Sequence, residues 1–178
     1  MKKIIYIMLC ALLLLGGCKN AEHDVNVSIV HFYKNHQTNF QEVDRKLLSK
    51  ELANLIDKSI AREKFEFDWT AKSEHPTDKP FFIEADVFAS HQEGDFQFAV
   101  NKITVNGNKA IVVMDFTSTF AATNDVEKWS EQVQMVNESG WKVDDIIYPK
   151  GERYLDGETL KQVFTDYINA TEAEAHPS

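Results

Sequence analysis

Cysteine is nearly missing from this 178-residue sequence. It occurs at Cys10 and Cys18 and nowhere after them. Residues 19–178 therefore hold no disulfide and no thiol, and their fold must rest on its core alone. Phe, Ile, Val and Leu are plentiful enough to build one. Basic charge is also short: 19 Lys and Arg stand against 28 Asp and Glu, a formal net charge of -9. Such a chain repels phosphates, which argues against nucleic acid as a partner. The sequence has no phosphate loop, no dinucleotide fingerprint and no Gly-x-Ser-x-Gly elbow. Its histidines are His23, His31, His36, His75, His91 and His176, and no two stand at an i, i+4 ligand spacing, which argues against a zinc site. Ser90 and His91 are neighbours without a third member of a triad. Internal repeats and low-complexity tracts are absent.

What the chain does have begins at its N-terminus. Lys2 and Lys3 precede an uninterrupted apolar run over residues 4–15. That run is shorter than the roughly 20 apolar residues a spanning helix needs. It has the length of a secretory h-region. It ends in Leu15-Gly16-Gly17-Cys18, which resembles the lipobox of bacterial lipoproteins, with Gly16 where Ala or Ser is commoner. The resemblance implies that residues 1–17 are a signal peptide and that Cys18 carries a diacylglycerol and an N-acyl chain. No other cofactor is expected. Each buried methylene contributes roughly 0.8 kcal/mol, so two or three chains hold a protein permanently to a membrane. By analogy with enteric lipoproteins, Lys19 is not the Asp that retains them at the inner membrane. A host with two membranes would carry the protein on the outer one. A Gram-positive host would carry it on the outer face of its only membrane. Loss of Lys2 and Lys3 moves the formal charge from -9 to -11. Residues 18–24 read as the lipidated cysteine and a short tether, at most about 20 Å long at roughly 3.4 Å per residue.

Residues 25–170 read as a single α+β domain and residues 171–178 as a flexible tail. Val25, Ile29, Phe32 and Tyr33, continued by His36 and Phe40, predict a first helix. Leu48, Leu52, Leu55, Ile56 and Ile60 predict a second, with Ser49 as its cap. The Glu and Lys run around residues 61–64 reads as its solvated end. Residues 65–80, punctuated by Pro76 and Pro80, read as a long loop. From Phe96 the period becomes two. Phe96, Phe98 and Val100 share one parity, Ile103 and Val105 the other, and a bulge near Asn101-Lys102 reconciles them. Asn106-Gly107-Asn108 predicts a hairpin turn into a strand whose inward set is Ala110, Val112, Met114, Phe116 and Phe120. A loop over residues 121–126 leads to the Trp129, Val133, Met135 strand. A tight turn at Glu138-Ser139-Gly140 leads to a fourth, with Trp141, Val143 and Ile147 inward. Asp156 reads as the cap of a last helix bearing Leu160, Val163, Phe164, Tyr167 and Ile168. Segregated helices and strands argue α+β, with N-terminal helices packed on a curved antiparallel sheet of about four strands and a C-terminal helix.

Several stretches resemble one group of proteins: His31-Phe32-Tyr33-Lys34, Leu48-Ser49-Lys50-Glu51-Leu52, Asp86-Val87-Phe88, and the Trp129 strand running into Trp141-Lys142-Val143-Asp144-Asp145-Ile146-Ile147-Tyr148. Together, over residues 27–148, they are similar to bacterial envelope lipoproteins of unassigned function with a cystatin-like, nuclear-transport-factor-like domain. The Trp-x-x-Asp-Asp-Ile-x-Tyr ending is the most specific part. The resemblance implies helices cradled by a curved sheet, often around a pocket. It implies no activity, because that fold hosts enzymes, binding modules and scaffolds alike.

Asp144 and Asp145 are the sharpest candidates for chemistry, since apolar neighbours on both parities predict that at least one carboxylate is partly buried. Such a group serves either as a pocket acid or base, or as a structural acid that caps a helix or bonds loop amides. Asp86 stands under the same alternative. Tyr33 and Trp141 line either a pocket or the core. Two functions follow. The first is a non-enzymatic binding or accessory domain acting on another envelope protein, with an inhibitor or immunity lipoprotein as one form. The second is a small-molecule binder or acid/base enzyme using Asp145 or Asp144. A filled core or a lined pocket around that pair separates them.

Overall fold

The computed structural model describes residues 20–35, 38–84, 86–91, 96–119, 124–151, 155 and 157–170. Residues 1–17, read from sequence as a signal peptide, lie outside the described residues, as do Cys18, His36, Phe120, Asp156 and residues 171–178. The fold is α+β, with helices first, then a four-stranded antiparallel sheet in the order β1-β2-β3-β4, then a last helix.

Helix α1 covers residues 20–34. It is already helical at Asn20, the first described residue, five residues ahead of Val25, so residues 20–24, read from sequence as tether, are helical and span only about 7.5 Å at 1.5 Å per residue. Val25, Ile29, Phe32 and Tyr33 are its buried stripe. Asn35 closes it, donating from its side-chain amide to the His31 carbonyl at 2.8 Å. The helix therefore stops short of Phe40, which is buried in a separate 3-10 turn, Phe40–Glu42. A second such turn, Arg45–Leu47, is capped by Asp44.

Helix α2 runs Lys50–Thr70, and Ser49 caps it by accepting from the Leu52 N–H at 3.1 Å. It is a turn and a half longer than its Leu and Ile periodicity suggests, and residues 65–70 are helix rather than loop. Residues 61–64 accordingly lie within the helix. Arg62 pairs at 2.5 Å with Glu66, which is wholly buried. An ion pair one helical turn apart lets the helix carry a carboxylate into the interior. Residues 71–84 then form turns and bends without helix or strand.

Strands β1 (Phe96–Asn106) and β2 (Lys109–Thr119) pair with a register shift between Val100 and Lys102, the bulge the parity change demanded. Gly107, at φ +61°, makes the turn between them. Strand β3 (Val126–Asn137) pairs with β2 and with β4 (Trp141–Ile147). A second register shift, opposite Gln134 and Met135, makes Asp144 the extra residue of β4. The inward set of β4 is therefore Trp141, Val143 and Ile146, followed by Tyr148, in place of Ile147. Simple alternation fails there because one bulged residue inverts the parity. The outer edge of β4 is covered by bridges Leu48–Val143 and Ile147–Thr159. Helix α3 runs Leu160–Asn169, capped by Thr159 accepting from the Gln162 N–H at 3.3 Å. Leu160, Phe164 and Tyr167 are its buried face.

Candidate functional site

A turn buried in the interior dominates the polar chemistry of the molecule. All six residues from Asp86 to His91 are buried. Connecting segments nearly always run over the surface, because a buried loop must satisfy every backbone polar group from within. This one does so in an orderly way. Asp86 and His91 exchange backbone hydrogen bonds, 3.0 Å from Asp86 N to His91 O and 3.3 Å in return. The Asp86 carboxylate accepts from the Phe88 N–H at 3.0 Å and also from that of Ala89. The next three carbonyls each meet a side-chain donor from a different element. Tyr148 OH donates to Val87 O at 2.5 Å, Tyr33 OH to Phe88 O at 2.9 Å, and Trp129 Nε1 to Ala89 O at 3.1 Å. Ser90 takes φ +45°, a left-handed conformation that strains a side chain bearing a Cβ.

Aromatic rings hold the turn laterally. Phe88 meets Phe32 edge-on at 5.3 Å. His91 stacks on Trp129 at 5.4 Å, and Trp129 on Phe116 at 5.2 Å. His91 Nε2 lies 3.3 Å from Ser118 Oγ. Glu131 is 1% exposed, and its Oε1 accepts from Trp129 Nε1 at 3.2 Å. Burial raises the Asp86 carboxyl to about 7, against the pull of the Phe88 and Ala89 N–H groups. Burial first, then the nearby acids Glu131 and Asp86, lifts the Tyr33 and Tyr148 hydroxyls well above their ordinary range. Both phenols are thereby kept protonated, as donors must be.

Asp144 and Asp145 join a different network. Asp145 Oδ1 accepts from Ile146 N at 2.9 Å and from Lys161 N at 3.0 Å, and the Thr159 hydroxyl bonds the same carboxylate. It therefore helps Thr159 cap α3. Partial burial pushes its carboxyl up, and those bonds and the Lys161 charge pull it back. Asp144 pairs with Lys161 Nζ at 2.9 Å, and the same ammonium meets Glu51 at 2.7 Å. Burial opposes the Lys161 charge, yet Glu51 and Asp144 leave its pKa raised. Trp141 packs in the core at the start of β4. Of the residues singled out from sequence, only Tyr33 and Asp86 meet at the turn.

Sequence reasoning missed His91, Ser118, Glu131, Trp129 and Tyr148 as members of this site. Two left a visible signal. Ser118 continues the buried parity of Val112, Met114 and Phe116, and Glu131 sits between Trp129 and Val133 on theirs. A polar residue on an apolar parity is the mark of a buried hydrogen-bonded group.

The surface carries a separate feature. The last turns of α2 and the bends after it form an open groove of about 940 Å³, lined by Phe65, Asp68, Trp69, Lys72, His75 and Lys79 among others. Phe65 and Trp69 are exposed there. Asp144, Asp145 and Asp86 do not line it. Among the described residues, no three His, Cys, Asp or Glu side chains converge as a metal site, and no helix is long and apolar enough to cross a membrane.

Comparison of the chain with models of protein families, with curated proteins and with solved structures finds no match in any of the three.

Proposed function

We propose that this chain is a lipid-anchored protein of the bacterial envelope whose domain is a non-enzymatic binding module for another envelope protein. The lipobox at Leu15-Gly16-Gly17-Cys18 supports the anchor. Helix α1 is already formed at Asn20, two residues after Cys18 in the sequence, which keeps the domain close to the anchor. A formal charge of -11 after signal removal turns the domain away from anionic lipid and toward a protein partner.

The observation that carries the reading is how the acids are employed. Asp145 caps α3, Asp144 pairs with Lys161, and Asp86 closes its own turn. Each of the three carboxylates singled out from the sequence is already held by a backbone amide or a lysine. An inhibitor or immunity role is one specific form compatible with a small acidic domain of the envelope.

In-cell photocrosslinking from the exposed positions Trp69, Ile111 and Val126, read by mass spectrometry, tests the proposal. One reproducible envelope protein captured from at least one position is expected. Recovery of the lipoprotein with no reproducible partner overturns it. Intact mass of the membrane-extracted protein tests the anchor: acylated Cys18 is expected as residue one, and Cys18→Ser is expected to release the protein from the membrane.

A further inference from the structure

We infer that the inner face of the sheet is a receptor for a short polypeptide turn, filled in cis by the chain's own Asp86–His91 segment, and that a turn of like chemistry on a partner protein takes its place. The partner's identity as a protein rests on the binding-module reading above.

Three consecutive carbonyls, at 87, 88 and 89, are received by donors from three separate elements: Tyr148 beyond β4, Tyr33 of α1 and Trp129 of β3. Main-chain recognition of this kind gives affinity without reading side chains, as in known modes of peptide capture. Specificity comes from the sockets. Phe88 is wholly buried against Phe32, and Val87 and Ala89 are wholly buried beside it. The leading acid bonds amides within its own turn, so it shapes the ligand rather than the receptor. The ligand class is thus a closed turn of the form Asp, aliphatic, Phe, small residue.

The turn behaves as a guest in the fold. It pairs with itself across Asp86 and His91, and it follows fourteen residues, 71–84, that form neither helix nor strand. Connections of that length are uncommon in compact domains and are usually either functional loops or linkers. Strain at Ser90 lies within the guest. The receptor, by contrast, consists of side chains on or directly beside α1, β3 and β4, which the regular framework positions.

A cyclised peptide, Asp-Val-Phe-Ala-Ser-His, tests this. It is added to the wild-type chain and to the guest-side variants Phe88→Leu and Phe88→Ala, with thermal midpoint and the Trp129 indole resonance as readouts. Closure in cis taxes the apparent affinity by the fraction of open molecules. The peptide is therefore expected to bind Phe88→Ala roughly tenfold or more tightly than wild type, with Phe88→Leu between them. It should raise the midpoint in that order and move the Trp129 signal. A peptide with Ala in place of Phe should do neither. No midpoint change in any of the three chains overturns the inference, as does equal action by the Ala peptide. Should Phe88→Ala fold poorly, Phe88→Leu and wild type still carry the comparison. A captured envelope partner together with a silent peptide would overturn the turn receptor and leave the binding module standing.

Discussion

Two aspartate sites in this protein use the same chemistry in opposite settings. Asp86 and Asp145 both accept backbone N–H bonds near their own position in the chain. Asp86 does so at 2% exposure, near the Tyr33 and Tyr148 hydroxyls, and burial lifts its carboxyl to about 7. Asp145 does so at the rim of the sheet, where a smaller burial still raises its carboxyl against the pull of the Lys161 and Ile146 amides and Thr159. Hydrogen bonds to amides stabilise the charged form in both places, and desolvation decides whether they win. Burial wins at both, and the enclosed Asp86 site is therefore the more sensitive to packing and to pH.

The contrast can be broken most forcefully at Phe88. Phe88→Ala removes a wholly buried ring, and a loss of about 5 kcal/mol is expected, at the upper end for such truncations. Urea unfolding measures it, and a loss under about 1 kcal/mol would mean that the turn is not lodged in the core.

The pH dependence is next in size. A carboxyl near 7 in the fold and 3.8 when unfolded binds its proton more tightly in the folded state. Its contribution is fully present below 3.8 and is lost as pH rises through about 7. The full span amounts to on the order of 4 kcal/mol at 1.36 kcal/mol per pH unit. The wild-type midpoint is expected to fall across that window relative to Asp86→Asn, which keeps an oxygen for the Phe88 N–H and does not titrate. Parallel curves for the two proteins would contradict the assignment.

At the rim, Asp145→Ala is expected to cost about 1–2 kcal/mol, the value of a helix cap. Helix α3 should show faster amide exchange while the turn at Asp86 keeps its protection. Asp144→Asn is expected to cost least, about 0.5 kcal/mol, and less in high salt, as befits a partly exposed ion pair. A larger effect for Asp144 than for Asp86 would reverse the comparison.

Legibility followed locality. The Ser49 cap, the bulge at Asn101 and Lys102, and the turn at Gly107 are each set by a few adjacent residues, and each was readable. The inversion of parity in β4 was not, because Asp144 is extra only relative to β3. The last turn and a half of α2 was missed because Phe65, Phe67 and Trp69 are exposed there and break the apolar stripe. Asp86 and Tyr33 were legible as residues that needed partners. That they share a turn was not, since Tyr33 and Phe88 are 55 positions apart in the chain.

The sequence by itself determined the class of fold, the order of its elements and its acidity, because periodicity and charge are local properties. Only the tertiary structure decided what fills the interior. Burial of the Asp86–His91 turn requires Tyr33, Trp129 and Tyr148 to converge from three distant segments. The worth of each of those hydrogen bonds depends on desolvation that exists only once the chain has closed around them.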